Sequence, residues 1–274
     1  MNLPRHFVFS QASLQDYADC PRRFQLRYVL DVRWPRAGDE SSAEWERRAK
    51  QGAAFHQLVH QHILGIPVEA LDEMARQGEL EWWHAYLQTP PAHLPARIRR
   101  SEIHLSTPIA GYRLAARYDL LAIDPGDRAV IVDWKTNDRR PKRSWLEGRW
   151  QTHVYRYVLV QAGAHLNGGV PLAAEQVELV YWFAQYPAQP ERFSYDVEQH
   201  QAAERTILDQ IAQIEGSSQQ VWSLAEDLGK CRYCTYRTLC ERVAVEVEDE
   251  SWQEKEVEDS FELVDLEQIA EVEF

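Results

Sequence analysis

Between residues 101 and 135, three runs rich in strand-forming residues are separated by two short turn sequences, and this spacing leaves little choice of local fold. The runs cover 101–107, 112–123 and 129–135; Ala110-Gly111 and Asp124-Pro125-Gly126-Asp127 lie between them. Turns this short join antiparallel neighbours, so the stretch predicts a meander. Its last strand reads Val130-Ile131-Val132-Asp133-Trp134-Lys135-Thr136. Strand side chains alternate, so Asp133 and Lys135 share a face, setting a carboxylate suited to a metal beside an ammonium suited to a phosphate. Alone, Asp-x-Lys recurs by chance and has little weight. A symmetric turn about Pro125 and Gly126 would set Asp119 opposite Val132. For Asp119 and Asp133 to reach one metal, a bulge or an asymmetric loop must shift that register, and such a distortion is predicted.

Helical periodicity surrounds the meander. Residues 12–30 place Leu14, Tyr17, Phe24 and Tyr28 near helical spacing, with Pro21 dividing two helices and Cys20 at the break. A helix over about 43–63 has a core stripe of Phe55, Val59 and Ile63, while His56 and His60 share another face. Paired histidines at this spacing bind zinc in proteases, but Gln57 stands where the glutamate base would be required, which excludes that reading. A further helix over about 68–87 carries Leu71, Met74, Leu80, Trp82, Trp83 and Tyr86, read as core and not as a base-stacking platform. After the meander, residues 143–163 return to helix with Gln151 and Tyr155 one turn apart. A buried strand over 176–183, an edge strand over 192–195 and a helix over 197–214 follow. The order predicts an α/β sandwich around a mixed sheet.

The formal net charge of −13 belongs to the end of the chain. Residues 241–274 hold fourteen acids against two bases, which leaves the first 240 residues at −1. Residues 243–274 therefore read as an acidic, mostly disordered tail that either solubilises the chain or competes with a polyanion. In the neutral body, bases cluster at Arg22, Arg23 and Arg27, at Arg97, Arg99 and Arg100, and at Arg139, Arg140, Lys142, Arg143 and Arg149. The third cluster follows Lys135 directly and is taken as a surface that tracks phosphates. No run approaches the ~18 apolar residues of a membrane span, and the N-terminus lacks a signal-peptide pattern, so a cytoplasmic protein is expected. Of four cysteines, Cys20 stands alone and Cys231, Cys234 and Cys240 fall together, a distribution that favours metal over disulfides in a reducing compartment. Four thiolates suit an iron–sulfur cluster or a closed zinc site, and spacing does not choose between them.

In order along the chain stand Cys20-Pro-Arg-Arg-Phe24, Gly52-Ala-Ala-Phe-His56, Arg117-Tyr-Asp119, Asp133-Trp-Lys135, Gln151-Thr-His-Val-Tyr155, Cys231-Arg-Tyr-Cys234 and Cys240. From Ser10 to about Arg242 this resembles the PD-(D/E)XK nuclease superfamily, in its RecB-like branch, which includes the AddB nuclease domain and the iron–sulfur nucleases of CRISPR adaptation. Tyr118 departs from the usual Ile or Val, and the acidic tail lies outside the pattern.

The resemblance implies a restriction-endonuclease-like fold, with a nuclease domain over residues 1–242 and a catalytic core over about 43–215. It implies that Asp119, Asp133 and His56 hold Mg²⁺ or Mn²⁺, with the Trp134 carbonyl as a further ligand. Lys135 would orient or deprotonate water, and Gln151 and Tyr155 would position the scissile strand. Glu102 is left outside this set, as a supporting or surface residue. Cys20, Cys231, Cys234 and Cys240 would hold a 4Fe-4S cluster, with zinc as the alternative. The implied activity is exonucleolytic hydrolysis of single-stranded DNA ends in repair, recombination or CRISPR adaptation. The alternative is a DNA-end-binding or assembly subunit that needs a helicase or an integrase partner.

Overall fold

The computed structural model describes residues 3–4, 6–34, 40–77, 81–217, 222–231 and 234–242, with the backbone alone for 40–46 and 77. The acidic tail predicted over 243–274 lies outside the described residues, as does Leu80.

The chain opens with a short strand, β1 (Val8–Phe9), and helices α1 (Gln11–Asp19) and α2 (Pro21–Phe24). Pro21 occupies the first turn of α2, where its missing N–H costs nothing, and Cys20 is the extended residue between the helices. Three helices follow: α3 (Glu40–Ile63), α4 (Val68–Gln77) and α5 (Glu81–Gln88). The meander comprises β2 (Ile98–Ile109), β3 (Tyr112–Asp124) and β4 (Arg128–Lys135). Then come α6 (Arg143–Glu147), α7 (Trp150–Ala162), β5 (Val177–Phe183), β6 (Glu191–Ser194) and α8 (Val197–Ser217). The single helix expected over 68–87 is thus two. The expectation over 143–163 also divides, at Gly148.

The six strands form one mixed sheet in the order β1-β3-β4-β5-β6, with β2 on the other edge of β3. Parallel pairing joins β1 to β3 and β4 to β5; the remaining pairs are antiparallel. One face packs against α1, α7 and α8 through Leu121, Ile131, Leu179, Tyr181, Val158 and Ile207. The other packs against α3, α4 and α5 through Val132, Trp134, Trp182, Phe55, Leu71 and Trp83. The aromatic residues of α5 are core, as expected: Trp83 is fully buried and its indole N–H donates to Asp72 at 2.6 Å. Met74 is the exception, being exposed on α4.

Register determines where the site forms. Ala110 and Gly111 both have positive φ, as a tight two-residue hairpin turn requires, and they pair residue i of β2 with 221−i of β3. The next turn holds three residues, Pro125-Gly126-Asp127, closed by the Asp127 N–H to the Asp124 carbonyl at 3.0 Å. That asymmetric loop pairs Leu120 with Val132 and places Asp119 level with Asp133, the shift the sequence demanded. Glu102 is level with Asp119 on the other side. Neither juxtaposition is a ladder pair: pairing skips Glu102 and Asp119, and it ends at Leu120–Val132.

Candidate active site

At this row the pleat changes phase on two strands together. Leu114, Ala116 and Tyr118 face the same core as Leu121 and Ile123, so the alternation of β3 is broken at Asp119 and Leu120. On β2, Ile103 and Leu105 share that core with Ile98, so the break falls at Ser101 and Glu102, where Glu102 takes φ +53. A non-glycine residue at such a φ is uncommon and stores strain of order 1–3 kcal/mol, which recurs at functional sites. The break turns Asp119 toward α3, where Leu120 also packs, and brings Glu102 beside it. His56 comes from α3, and the ring nitrogens and carboxylate oxygens of His56, Glu102 and Asp119 lie within 4.8 Å of one another. Among the described residues this is the one group of three histidine, cysteine or acidic side chains so convergent.

The buried Asp119 carboxylate accepts the Trp134 N–H at 2.9 Å, an amide that the end of the β3–β4 ladder leaves available. Its other oxygen is 3.4 Å from His56 Nδ1. Burial opposes ionisation of Asp119, but the neighbouring His56, the Trp134 N–H and Lys135 outweigh it and hold the carboxyl below its ordinary value. His56 shows the reciprocal effect. Burial penalises the imidazolium, yet Asp119, with Asp133 and Glu102 behind it, raises the histidine above 6.5. Glu102 is raised by burial and by repulsion from Asp119, against the pull of Arg117, whose Nε lies 3.4 Å from its carboxylate. Two carboxylates and an imidazole in a partly dry cleft form a hard O/N donor set that suits Mg²⁺ or Mn²⁺ and resists crowding until a cation is present.

Asp133 and Lys135 share a face, as predicted, and meet α7 there. The Asp133 carboxylate accepts Gln151 Nε2 at 2.8 Å and lies 3.0 Å from Lys135 Nζ. Lys135 Nζ donates to Gln151 Oε1 at 2.8 Å and sits 5.1 Å from the centre of the Tyr181 ring. Gln151 is therefore a bridge, holding the carboxylate with one end of its amide and the ammonium with the other. All three are at least nine-tenths buried. Tyr155, one turn further along α7, stacks obliquely on Tyr118 with ring centres 5.0 Å apart, and Tyr118 donates its hydroxyl to the Tyr155 carbonyl at 2.9 Å. Tyr118, the departure from the usual aliphatic residue, thus fixes the helix that carries Gln151.

Other expectations are redistributed. Arg23 pairs with Asp16 and Asp19, and Arg27 with Asp16, so these cations brace the N-terminal helices. Within the third cluster, Arg140 and Arg143 both reach Glu191, and Arg143 lies over Phe193 at 4.2 Å. Those two guanidinium groups anchor β6, a role that basic clustering alone does not reveal. Arg149 lies over Trp145 at 4.8 Å, while Arg139 and Lys142 are exposed. Reading by motif underrated Glu102, although the hairpin about Ala110-Gly111 places it opposite Asp119 in the sequence itself.

The C-terminal segment returns to the N-terminal helices. Arg22 donates its N–H to the Ser223 carbonyl at 2.9 Å, Trp222 stacks on Phe24, Lys230 pairs with Asp19 and Tyr236 donates to the Val32 carbonyl at 2.9 Å. Cys20 is buried and the other three cysteines are half-buried. Burial, then the nearby Asp16 and Cys20, pushes the Cys234 thiol up to about 12, against Arg23, and burial followed by Cys20 raises Cys240. No three of these thiols converge within 4.8 Å. A tetrahedral zinc site, with Zn–S near 2.3 Å, needs sulfurs about 3.8 Å apart, so the structure holds no preformed zinc geometry.

No helix among the described residues is long and apolar enough to cross a membrane. Comparison with curated proteins gives no match. Among solved structures, the chain is similar to SSO0001, at 14% identity over 85% of both chains and a TM-score of 0.38. It is also similar to a chain named as a candidate exonuclease from Eubacterium rectale, at 10% identity over 80% of this chain and 85% of the other, with a TM-score of 0.46. The sequence profile of the PD-(D/E)XK nuclease superfamily matches residues 8–241, and the chain belongs to that superfamily.

Proposed function

We propose that the chain is a divalent-metal-dependent DNA exonuclease of the RecB-like branch, acting on single-stranded ends. The observation that carries this reading is the convergence of His56, Glu102 and Asp119 beside the Asp133–Lys135–Gln151 bridge. His56, Asp119 and Asp133 would hold Mg²⁺ or Mn²⁺, and Glu102, convergent with His56 and Asp119, would join that set. When bound, the metal would supply Lewis-acid activation of water and stabilise charge on the phosphoryl oxygens. Lys135, paired with Asp133 and aimed by Gln151, orients the attacking water and neutralises charge that develops on the phosphate. Tyr155 positions the scissile strand from the same helix face as Gln151. Arg139, Lys142 and Arg149 track the backbone, with Arg140 and Arg143 supporting them from Glu191.

Cys20, Cys231, Cys234 and Cys240 are proposed to hold a 4Fe-4S cluster, zinc being the alternative. In support, Cys20 lies near enough to raise both Cys234 and Cys240, and the segment that bears the last three cysteines docks against the helix break at Cys20. A cluster would reverse the mutual repulsion of those thiolates. On this reading residues 1–242 are the nuclease domain, its DNA ends arising in repair, recombination or CRISPR adaptation with a helicase or integrase as partner.

The test is cleavage of end-labelled single-stranded DNA by anaerobically purified wild type and Asp133→Ala, each with Mg²⁺, Mn²⁺ or EDTA. Metal-dependent cutting by wild type alone is expected, with the label pattern giving polarity. Binding without cutting by both would favour the assembly subunit.

Glu102 allows a separate prediction. Glu102→Gln keeps shape but removes one anion from the donor set, and Mn²⁺ affinity measured by calorimetry should fall about 10–100-fold. An unchanged affinity would place Glu102 outside the metal's coordination.

A further inference from the structure

One edge of β3 is shared by two strands. β1 pairs with it at Arg113 and Leu114 and β4 from Leu120 to Asp124, leaving a fork between them that ends at Asp119. Along this stretch the sheet is covered on one face only. Leu105, Leu114, Ala116 and Tyr118 are buried in the core that α1 and α7 share. Strand alternation turns the residues between them to the other face, where the register pairs His104 with Arg117, Ser106 with Ala115 and Pro108 with Arg113. His104, Pro108 and Arg113 are exposed and Ser106, Ala115 and Arg117 half-buried; Val8, opposite Arg113 on β1, is 45% exposed. Helices α3, α4 and α5 pack on this side of the sheet from Leu120 onward. Beyond the row of Asp119 they leave an open trough floored by alanine and serine.

An antiparallel sheet can face water on one side, so exposure alone assigns nothing. What distinguishes this face is its charge and where it leads. Arg113 has no carboxylate partner among the described residues, and its guanidinium donates to the Ser106 hydroxyl. Arg117 has one, Glu102 at 3.4 Å, and Glu102 is also one of the three groups that converge on the metal position. A cation held by Glu102 and Asp119 would take over that carboxylate and leave Arg117 unmatched. At about 3.3 Å per residue, Arg117 is roughly 7 Å along the strand from Asp119 and Arg113 roughly 13 Å further. Two guanidinium groups in line with the metal position, over a floor without bulky side chains, suit a polyanionic backbone.

We propose that this open face of β2 and β3 seats the phosphate backbone of the single strand beside the scissile position, with Arg117 on the phosphate nearest the metal and Arg113 on one further along. This rests on the nuclease reading. Glu102 then has two partners in turn, Arg117 before the metal binds and the metal afterwards.

The experiment is binding of a labelled single-stranded oligonucleotide in EDTA, which prevents cleavage, over a range of salt. Arg113→Gln should bind about tenfold more weakly, the effect of a hydrogen bond to a charged group, and its slope of log affinity against log salt should shrink by about 0.7. Arg117→Gln should lose less in the wild-type background, where Glu102 competes for the guanidinium, and the full factor of about ten in Glu102→Gln. Arg205→Gln makes the same charge change at an exposed position of α8, which packs on the opposite face of the sheet, and should bind as wild type does. Arg113 keeps the test open should Arg117→Gln destabilise the fold. Wild-type affinity in Arg113→Gln, an equal loss in Arg205→Gln, or an Arg117→Gln loss no larger in Glu102→Gln than in wild type would overturn the proposal and leave the nuclease reading intact. So would variants that lose only self-association, measured by light scattering, because the face would then belong to a second copy of the chain. Failure of wild type to bind any oligonucleotide would overturn both.

Discussion

Asp119→Asn is expected to lower metal-dependent cleavage on the order of a thousandfold without unfolding the chain. The substitution keeps the side chain's shape and leaves an oxygen to accept the Trp134 N–H, so the junction of β3 and β4 survives. What it removes is the charge on which the neighbours depend. His56 is raised chiefly because Asp119 overcomes the burial penalty, so in the variant its pKa, followed by NMR, should drop. Glu102 should also drop, because part of its elevation is repulsion from Asp119. In the metal-free protein the His56–Asp119 ion pair stabilises the fold between two limits. The histidine contribution is complete below pH 6.5 and fades as pH rises through the elevated folded pKa. The aspartate contribution is complete above 3.8 and fades as pH falls through the depressed folded value. A metal competes with the proton for the imidazole, so wild-type Mn²⁺ affinity should weaken as pH falls through the His56 pKa. Cleavage by Asp119→Asn within tenfold of wild type would remove Asp119 from the site.

The meander, the helices around it and the shared face of Asp133 and Lys135 were legible because each follows from a short-range rule: turn chemistry, period 3.6 or period 2. The shift that levels Asp119 with Asp133 was legible as a requirement, although the sequence does not say that a three-residue loop supplies it. Glu102 was underrated for a different reason. Its pairing follows from the Ala110-Gly111 turn, but whether it faces Asp119 depends on a pleat reversal at φ +53, which no propensity announces. The two-residue strand β1 is equally silent, since Val8 and Phe9 form it only because β3 offers an open edge beyond the fork. Arg140 and Arg143 were read as DNA contacts because charge is visible in a sequence, whereas Glu191, which binds both, is distant along the chain and near only in the fold.

Cys234→Ser should have the second-largest effect, on stability more than on chemistry. Without a metal, the docked segment is held by contacts such as the Arg22–Ser223 and Tyr236–Val32 hydrogen bonds and the Lys230–Asp19 pair. Individually these polar contacts are worth about 1 kcal/mol or less, and with the buried Trp222 they leave the docked segment only marginally held against its own entropy. A four-thiolate cluster would add several kcal/mol by making docking and metal binding one event. Loss of one ligand should therefore lower the thermal midpoint by about 10 °C and expose residues 222–242 to limited proteolysis. Bound iron and the visible absorption of the cluster should disappear together; zinc in place of iron in the wild type would select the alternative. Asp119→Asn should retain the metal of the cysteine site in full, since the two sites share no ligand. The converse is not expected. Cys20 ends α1, and α1 presents Gln11 to Tyr155 and Gln15 to the start of α7, so loosening the cysteine site should disturb the helix that carries Gln151. A stable, fully active Cys234→Ser protein, or a wild type purified anaerobically with neither iron nor zinc, would refute the cluster.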